Sequence, residues 1–429
     1  MIAPARAEAQ TTVTSSSTEA DVDTSTTEAP ATAATPSEAA PEPRVANDTR
    51  QSARQRHLAD ASASQRQFQL HSMLESRGPS EEPLPAPVEG EDRFVDRAIE
   101  NFDAWDTDDN GHLSESEVAA AVNDSGNTGS DAAAAAALHH RQDDIEEMSD
   151  DEWGDENDGV TLRDLAEYNS RLGTDDDAVR STEFAYRDGK RRIRETSRDL
   201  FVGEASTEHM RQGRVGTCDL NAAAGSIAAQ DHGDADRNRL EDMITDNGDG
   251  TYTVDFPDES VTVDAPTDAE IARYSTAGEN GLWMTVLEKA YGELEGDTAV
   301  AGDAGDGALP GTAVSNLTDG SDVDFLSTTS LDTTRTKLRN AFDNHEAVTA
   351  HIHKDAPWGN SRRDGLPMGH AYSVVGYDEE NDTVTLRNPW GRTEPVDADG
   401  NAADGTNDGV FTMSIEEFDS TFTNVAYGE

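Results

Sequence analysis

The first 90 residues confine any fold to the rest of the chain. From MIAPARAEAQ to GPSEEPLPAPVEGED they are dominated by Ala, Ser, Thr, Glu and Pro. Such a composition buries too little apolar surface to offset the entropy of ordering it. Residues 1–90 are therefore expected to be a disordered acidic tail. The stretch QSARQRHLADASASQRQFQLHSMLESRG (51–78) is at most a marginal helix that needs a partner. With hydrophobic residues at 34% of the chain, a core has to come from concentrated apolar segments further on.

Charge narrows the possible partners. The chain holds 33 Lys and Arg against 88 Asp and Glu, a net charge of −55, and such a field repels nucleic acid and anionic membranes. The only lysines are Lys190, Lys289, Lys337 and Lys354. Three sources of the acidity stay open: solubility in high salt, acidic linkers, and carboxylates clustered for calcium. The N-terminus lacks the apolar stretch of a signal peptide, and no window has the length of a membrane span. No membrane insertion and a cytoplasmic location are expected, with export by a non-Sec route as the alternative. One cysteine, Cys218, excludes an intramolecular disulfide and a Cys-based zinc site. Nothing in the pattern sets an oligomeric state.

Residues 91–173 read as helical in four pieces: DRFVDRAIENFDAW, SESEVAAAV, DAAAAAALHHRQDDIEEM and TLRDLAEYNSRL. Residues 174–199 read as a linker. Beyond 200 the pattern changes. TYTVDF and SVTVDA alternate at strand period around a PDE turn. GLWMTVLEKAYGEL carries the apolar spacing of a buried-face helix, and AVTAHIH, HAYSVVGYD and DTVTLRN are further strands. Mixed helices and mostly antiparallel strands predict an α+β domain.

Between the first two helices lies DTDDNGHLSESE, 106–117, which fits an EF-hand calcium loop. Asp106, Asp108 and Asn110 supply side-chain oxygens at positions 1, 3 and 5, and Gly111 allows the sharp turn at position 6. His112 offers its carbonyl, Ser114 takes the often water-mediated position 9, and Glu117 is the bidentate ligand at position 12. Ca2+ is the ion this donor set would hold. A second loop, GDENDGVTLRDL (154–165), has faulty spacing. Counted from Gly159 as the turn glycine, Gly154 stands at position 1 and Leu165 at position 12, as in a degenerate partner loop.

The single thiol stands at the head of an amphipathic helix, where Leu220, Ala223, Ala224, Ile227 and Ala228 form one stripe. Unpaired amides and the helix dipole there favour a thiolate and lower the thiol pKa. Gly213 and Gly216 permit a tight entry, and Gln212 can donate toward a developing oxyanion. A nucleophilic thiol needs a base with an orienting group. HAYSVVGY and TVTLRN form a hairpin across EEND; a turn centred near Glu380 and Asn381 sets His370 opposite a residue near 391. A bulge shifts that pairing and brings Asn388 alongside His370. His370 would deprotonate Cys218 and later protonate the leaving amine. His351 and His353 are expected as packed polar groups on another strand. Each residue alone has a purely structural reading; only their joint pattern points to chemistry.

QGRVGTC, LWMTVLEKAY, GHAYSVVGY and RNPWG occur in that order, with NGDGTYTVDF and DGVFTMSIEEF beside them. Together they resemble the calpain family of papain-like cysteine proteases over residues 200–429. The resemblance implies a two-lobed core, 200–320 and 321–429, that hydrolyses peptide bonds of protein substrates in the cleft between lobes. It assigns Cys218 as nucleophile, His370 as base, Asn388 as orienter, Gln212 as oxyanion donor and Trp390 as a shield over the His370–Asn388 pair. It also implies two core calcium sites. Glu288 matches a ligand of the first, where His209 replaces an aspartate. Glu394 and Asp408 match ligands of the second, where Asn401 and Val410 replace carboxylates. Thr217 and Asp219 replace the family's acidic residue and tryptophan on either side of the nucleophile. The reading is thus an α+β, papain-like two-lobed calpain protease core, preceded by an all-α EF-hand-like pair and the tail. The activity expected of it is that of a calcium-responsive cysteine endopeptidase. The alternative is a catalytically silent, calcium-binding interaction protein; acyl transfer to an amine is a remoter third.

Overall fold

The computed structural model describes residues 92–149, 159–231, 239–296, 311–353, 365–397 and 400–428. The expected acidic tail, residues 1–90, lies outside the described residues, as do positions 154–158 of the second loop. Three hydrophobic cores organise the rest.

The first core is helical. It is built by α1 (Phe94–Trp105), α2 (Glu115–Asn123), α3 (Gly129–His140), α4 (Gln142–Glu146), α5 (Leu162–Arg171) and α6 (Asp177–Glu195). The two-residue strands β1 (His112–Leu113) and β2 (Val160–Thr161) pair antiparallel between them, with Leu113 opposite Val160. Both strands lead into helices through the same capping box, Ser114 with Glu117 and Thr161 with Asp164. That register puts Asp164, not Leu165, in the place equivalent to Glu117. The count from Gly159 is out by one because Gly159 sits against the partner strand, where a Cβ would lie 2.4 Å from the Leu113 carbonyl oxygen.

The linker expected at 174–199 is instead mostly helix. Asp176 caps α6, and Val179, Thr182, Ala185, Tyr186 and Gly189 form its buried stripe. Dense charge on the other face hides this stripe from a reading by composition. At Gly189 an added Cβ would stand 3.0 Å from Ala272 and 3.5 Å from Ala133, so α6 packs tightly against both neighbours.

The second core gathers α7 (Cys218–Asp231), α8 (Arg239–Met243), the antiparallel meander β3 (Ile244–Asp246), β4 (Thr251–Asp255) and β5 (Ser260–Asp264), then α9 (Asp268–Arg273), α10 (Trp283–Glu295) and α11 (Thr312–Leu317). Ala269 and Ala272 of α9 turn into the helical core, which ties that core to this lobe.

The third core is built from β6 (Ser321–Phe325), α12 (Leu331–Asn344), β7 (Val348–Ile352), β8 (His370–Asp378), β9 (Thr383–Arg387), β10 (Val410–Ser414), α13 (Ile415–Thr421) and β11 (Asn424–Gly428). Its strands form a six-stranded antiparallel sheet ordered β10-β9-β8-β7-β11-β6. Helix α7 bridges the two lobes. Its Gly225 lets β8 approach until an added Cβ would lie 2.6 Å from Ser373 Oγ. Ser226 Oγ donates to the Val374 carbonyl at 3.1 Å and accepts from Val348 N at 2.8 Å. Among the described residues, no helix is long and apolar enough to cross a membrane.

Candidate active site

The docking of α7 on β8 brings its first residue, Cys218, against the start of that strand. The thiol lies within hydrogen-bonding reach of the Ala371 backbone, next to His370. The β8–β9 hairpin carries a register shift between Val374 and Gly376. Below the shift Ser373 pairs with Arg387, which leaves Asn388 just past the strand end on the His370 side. His370 Nε2 meets Asn388 Oδ1 at 2.9 Å, and both residues are buried. Asn388 is fixed in turn: Oδ1 also accepts from Trp390 N at 3.0 Å, and Nδ2 donates to the Thr393 carbonyl at 2.8 Å. With Oδ1 the acceptor, the imidazole carries its proton on Nε2 and keeps Nδ1 as the basic nitrogen. The Trp390 ring covers His370 at a centroid distance of 4.4 Å.

Gln212 is held by its backbone from two sides. Its N–H donates to Pro389 O at 2.9 Å, and its carbonyl accepts from Arg192 Nη2 at 2.6 Å. Its side-chain Nε2 donates to Val215 O at 2.9 Å. Gly213 is required because a Cβ there would fall 1.9 Å from the Arg273 carbonyl oxygen. Arg192 escaped the reading of the sequence, since its segment looked like a linker. It is buried, braced by Asp188 at 2.8 Å, and also donates to the Tyr274 carbonyl at 3.2 Å. A buried guanidinium that serves carbonyls of two chain segments acts as a clamp.

The electrostatics depart from expectation. Burial, joined by the charge of Asp219, pushes the Cys218 thiol up to about 12. The helix N-terminus was expected to lower it; desolvation outweighs the amides here. Burial likewise holds His370 down to about 4 against the opposing bond from Asn388. At neutral pH the pair rests as thiol and neutral imidazole. Asp219 is itself raised to about 6 by burial, and its Oδ2 has no hydrogen-bond partner. His351 bonds Thr349 Oγ1 at 3.1 Å within β7, the packed polar role foreseen for it.

The acidic positions fall into three environments. In the 106–117 loop, one carboxylate oxygen from each of Asp106, Asp108 and Glu117 lies within 4.8 Å of the others. The loop's amides pre-arrange them: Asp106 accepts from Asn110 N at 3.1 Å and Gly111 N at 2.8 Å, and Glu117 from Thr107 N at 2.7 Å. Asn110 Oδ1 accepts from His112 N at 2.7 Å, and Ser114 Oγ donates to Glu117 at 2.8 Å. Glu288 is fully buried and bonded to Thr217 Oγ1 and Ser275 N, so it braces the turn before Cys218 with its oxygens engaged. Glu394 is buried with neither carboxylate oxygen hydrogen-bonded. Burial and the neighbouring Asp404 and Asp408 raise it to about 7. Asp404 was not singled out in the sequence, because a loop residue shows its neighbours only once the loop is folded.

Residues 169–428 match the calpain family cysteine protease profile. Over 262 residues the chain is 25% identical to the calpain-type cysteine protease DEK1 of Zea mays, a match covering 53% of this chain and 12% of that protein. The calpain-type cysteine protease ADL1 of Oryza sativa subsp. japonica gives the same identity and coverage. Human Calpain-9 is 23% identical over 258 residues, covering 53% of this chain and 37% of its own length. The matched region is thus a minor part of each relative.

Proposed function

The chain belongs to the calpain family of cysteine proteases, and on that premise we propose that it is a calcium-responsive endopeptidase cutting protein substrates. Cys218 is the nucleophile, His370 the base and Asn388 the orienter. The observation that carries the reading is the approach of the Cys218 thiol to the Ala371 backbone beside a His370 held by Asn388 at 2.9 Å.

In this reading Cys218 passes its proton to Nδ1 of His370 as the thiolate attacks the scissile carbonyl. The imidazolium that forms is stabilised through Nε2–H by Asn388, and it then protonates the leaving amine. Water attacks the acyl thioester with His370 again as base. The oxyanion would be met by the second N–H of Gln212 Nε2 and by the Cys218 amide at the helix start. A thiol raised to about 12 beside an imidazole lowered to about 4 makes the first proton transfer costly. That fits a resting site which needs activation.

Calcium is the proposed activator. Asp106, Asp108, Asn110, Ser114, Glu117 and the His112 carbonyl supply hard oxygen donors suited to it. The paired β1–β2 strands and the repeated capping box support an EF-hand-like pair, with Asp164 already committed to Ser149 and Thr161. Glu394, with its unpartnered buried oxygens, fits a second cation position beside Asp404 and Asp408. Glu288 fits none, because its oxygens are used internally. Bound calcium would neutralise the clustered carboxylates and draw their loops together. A cytoplasmic setting completes the proposal.

The test is cleavage of a protein substrate by wild type and Cys218→Ala, with calcium and with chelator. Calcium-stimulated cleavage that vanishes in Cys218→Ala is expected. Equal cleavage by both chains would sink the protease reading, and calcium-independent cleavage would sink the regulatory half. A silent, calcium-binding relative is the second reading, favoured by the buried Asp219 carboxylate beside the thiol, whose Oδ2 has no hydrogen-bond partner. It predicts calcium binding without labelling of Cys218 by a thiol-directed peptidyl inhibitor.

A further inference from the structure

Helix α9 follows β5 in the chain, yet it buries Ala269 and Ala272 in the helical core built by α1 to α6. Its N-terminus is fastened to that core at two points. Thr267 Oγ1 donates to the Val122 carbonyl, near the end of α2, in a buried bond of 2.7 Å. Asp268 Oδ2 accepts from Gly129 N, at the head of α3, at 2.8 Å. The Thr267 hydroxyl serves twice, because its oxygen also caps α9 by accepting from Glu270 N at 3.1 Å.

The other end of α9 holds the turn that leads to Cys218. The Arg273 carbonyl accepts from Arg214 N at 2.6 Å, and Ser275 Oγ accepts from Gly213 N at 3.3 Å. Thr276 and Arg211 exchange both backbone bonds, at 2.8 and 3.0 Å. From α6, Arg192 donates to the Gln212 carbonyl at 2.6 Å and to the Tyr274 carbonyl at 3.2 Å. Each residue from Arg211 to Arg214 is thus bonded to α6 or to the segment leaving α9.

These two helices touch where the fit is closest. A Cβ added at Gly189 of α6 would stand 3.0 Å from the Ala272 side chain of α9. Gly189 lies three residues before Arg192, on the same face of α6, and Ala272 directly precedes Arg273. Close-packed interiors transmit small displacements, so a shift at this seam reaches both sets of bonds on the turn. We propose that the helical core positions the Arg211–Arg214 turn for the chemistry of Cys218, with Gly189 and Thr267 as its positioning residues. Thr267 ties α9 to α2, and Gly189 sets the spacing of α9 from α6. The proposal deepens the protease reading and rests on it for the chemistry of the turn, whereas the positioning is read without catalysis.

The test is amide hydrogen exchange of the full chain, read by mass spectrometry at residues 211–217, with the β8–β9 hairpin as internal reference. Gly189→Leu forces a larger side chain into the seam, and Thr267→Val removes both the bond to Val122 and the cap. Thr267→Asp keeps a capping oxygen but has no proton for the Val122 carbonyl. All three variants should exchange about tenfold faster at 211–217 while the hairpin keeps its protection. Thr267→Ser retains the hydroxyl and should match the wild type. Unchanged exchange at 211–217 in Gly189→Leu and Thr267→Val overturns the proposal, as does loosening that spreads equally to the hairpin. Thr267→Asp behaving like Thr267→Ser overturns it too, because the cap of α9 would then suffice without the tie to α2. If the wild type cleaves no protein substrate, the protease reading fails separately and the exchange result stands by itself.

Discussion

The two halves of the candidate site are built in opposite ways. His370 and Asn388 belong to one hairpin, and a single register shift between Val374 and Gly376 sets them 2.9 Å apart. Cys218 and Gln212 belong to a turn held from elsewhere. Arg192 reaches in from α6, Glu288 bonds Thr217 from α10, and the Arg273 carbonyl crowds Gly213. One half is local and self-supporting; the other is positioned by contacts distant in sequence. Damage to the first should strike the chemistry directly, whereas damage to the second should act through geometry.

The largest effect is expected inside the hairpin. Asn388→Ala removes the hydrogen bond that orients the His370 ring and, on the proposed mechanism, should cost about 10²-fold in kcat/KM, the scale of a misplaced catalytic group. The measurement is peptide hydrolysis, and a loss under about threefold would break the contrast by showing that the imidazole is held in other ways. A smaller effect should follow from the remote clamp. Arg192→Lys should lower kcat by about tenfold with little change in KM, as expected for a loosened charged hydrogen bond. A KM effect alone would mean that α6 serves substrate binding and leaves the turn unmoved.

The smallest effect concerns Asp219. Its carboxylate, raised to about 6, is mostly ionised at pH 8 and opposes a thiolate beside it. Asp219→Asn should therefore speed alkylation of Cys218 by iodoacetamide at pH 8, by roughly tenfold if the thiol falls by about one unit. The gap should shrink below pH 6, where the wild-type carboxyl is itself protonated. A rate unchanged by the substitution would leave burial as the whole cause of the raised thiol and would weaken the case for a silent relative.

The local half was legible in the sequence because its parts are close together. HAYSVVGYDEENDTVTLRN names two strands and their turn, and the distance from His370 to Asn388 is short enough to count. In the 106–117 loop the approach of Asp106, Asp108 and Glu117 follows from the short separation of three carboxylates within twelve contiguous residues. The second loop was misjudged by one residue, since its register depends on Val160 meeting Leu113 across the pair. The stretch 174–199 was misread as a linker. Its apolar stripe is thin, and the helix finds its partners in α1, α3 and α9, which come from elsewhere in the chain.

Sequence alone determined which residue types were present at the candidate site and, through the spacing of the hairpin, which imidazole and carboxamide would meet. Tertiary structure alone decided their electrical state. A helix N-terminus favours a thiolate on paper, yet packing against β8 removes the water that would stabilise it, and the thiol rises to about 12. The same packing placed Arg192 on the Gln212 carbonyl. Solvation and charge at a site depend on everything folded around it, and that information is spread along the whole chain.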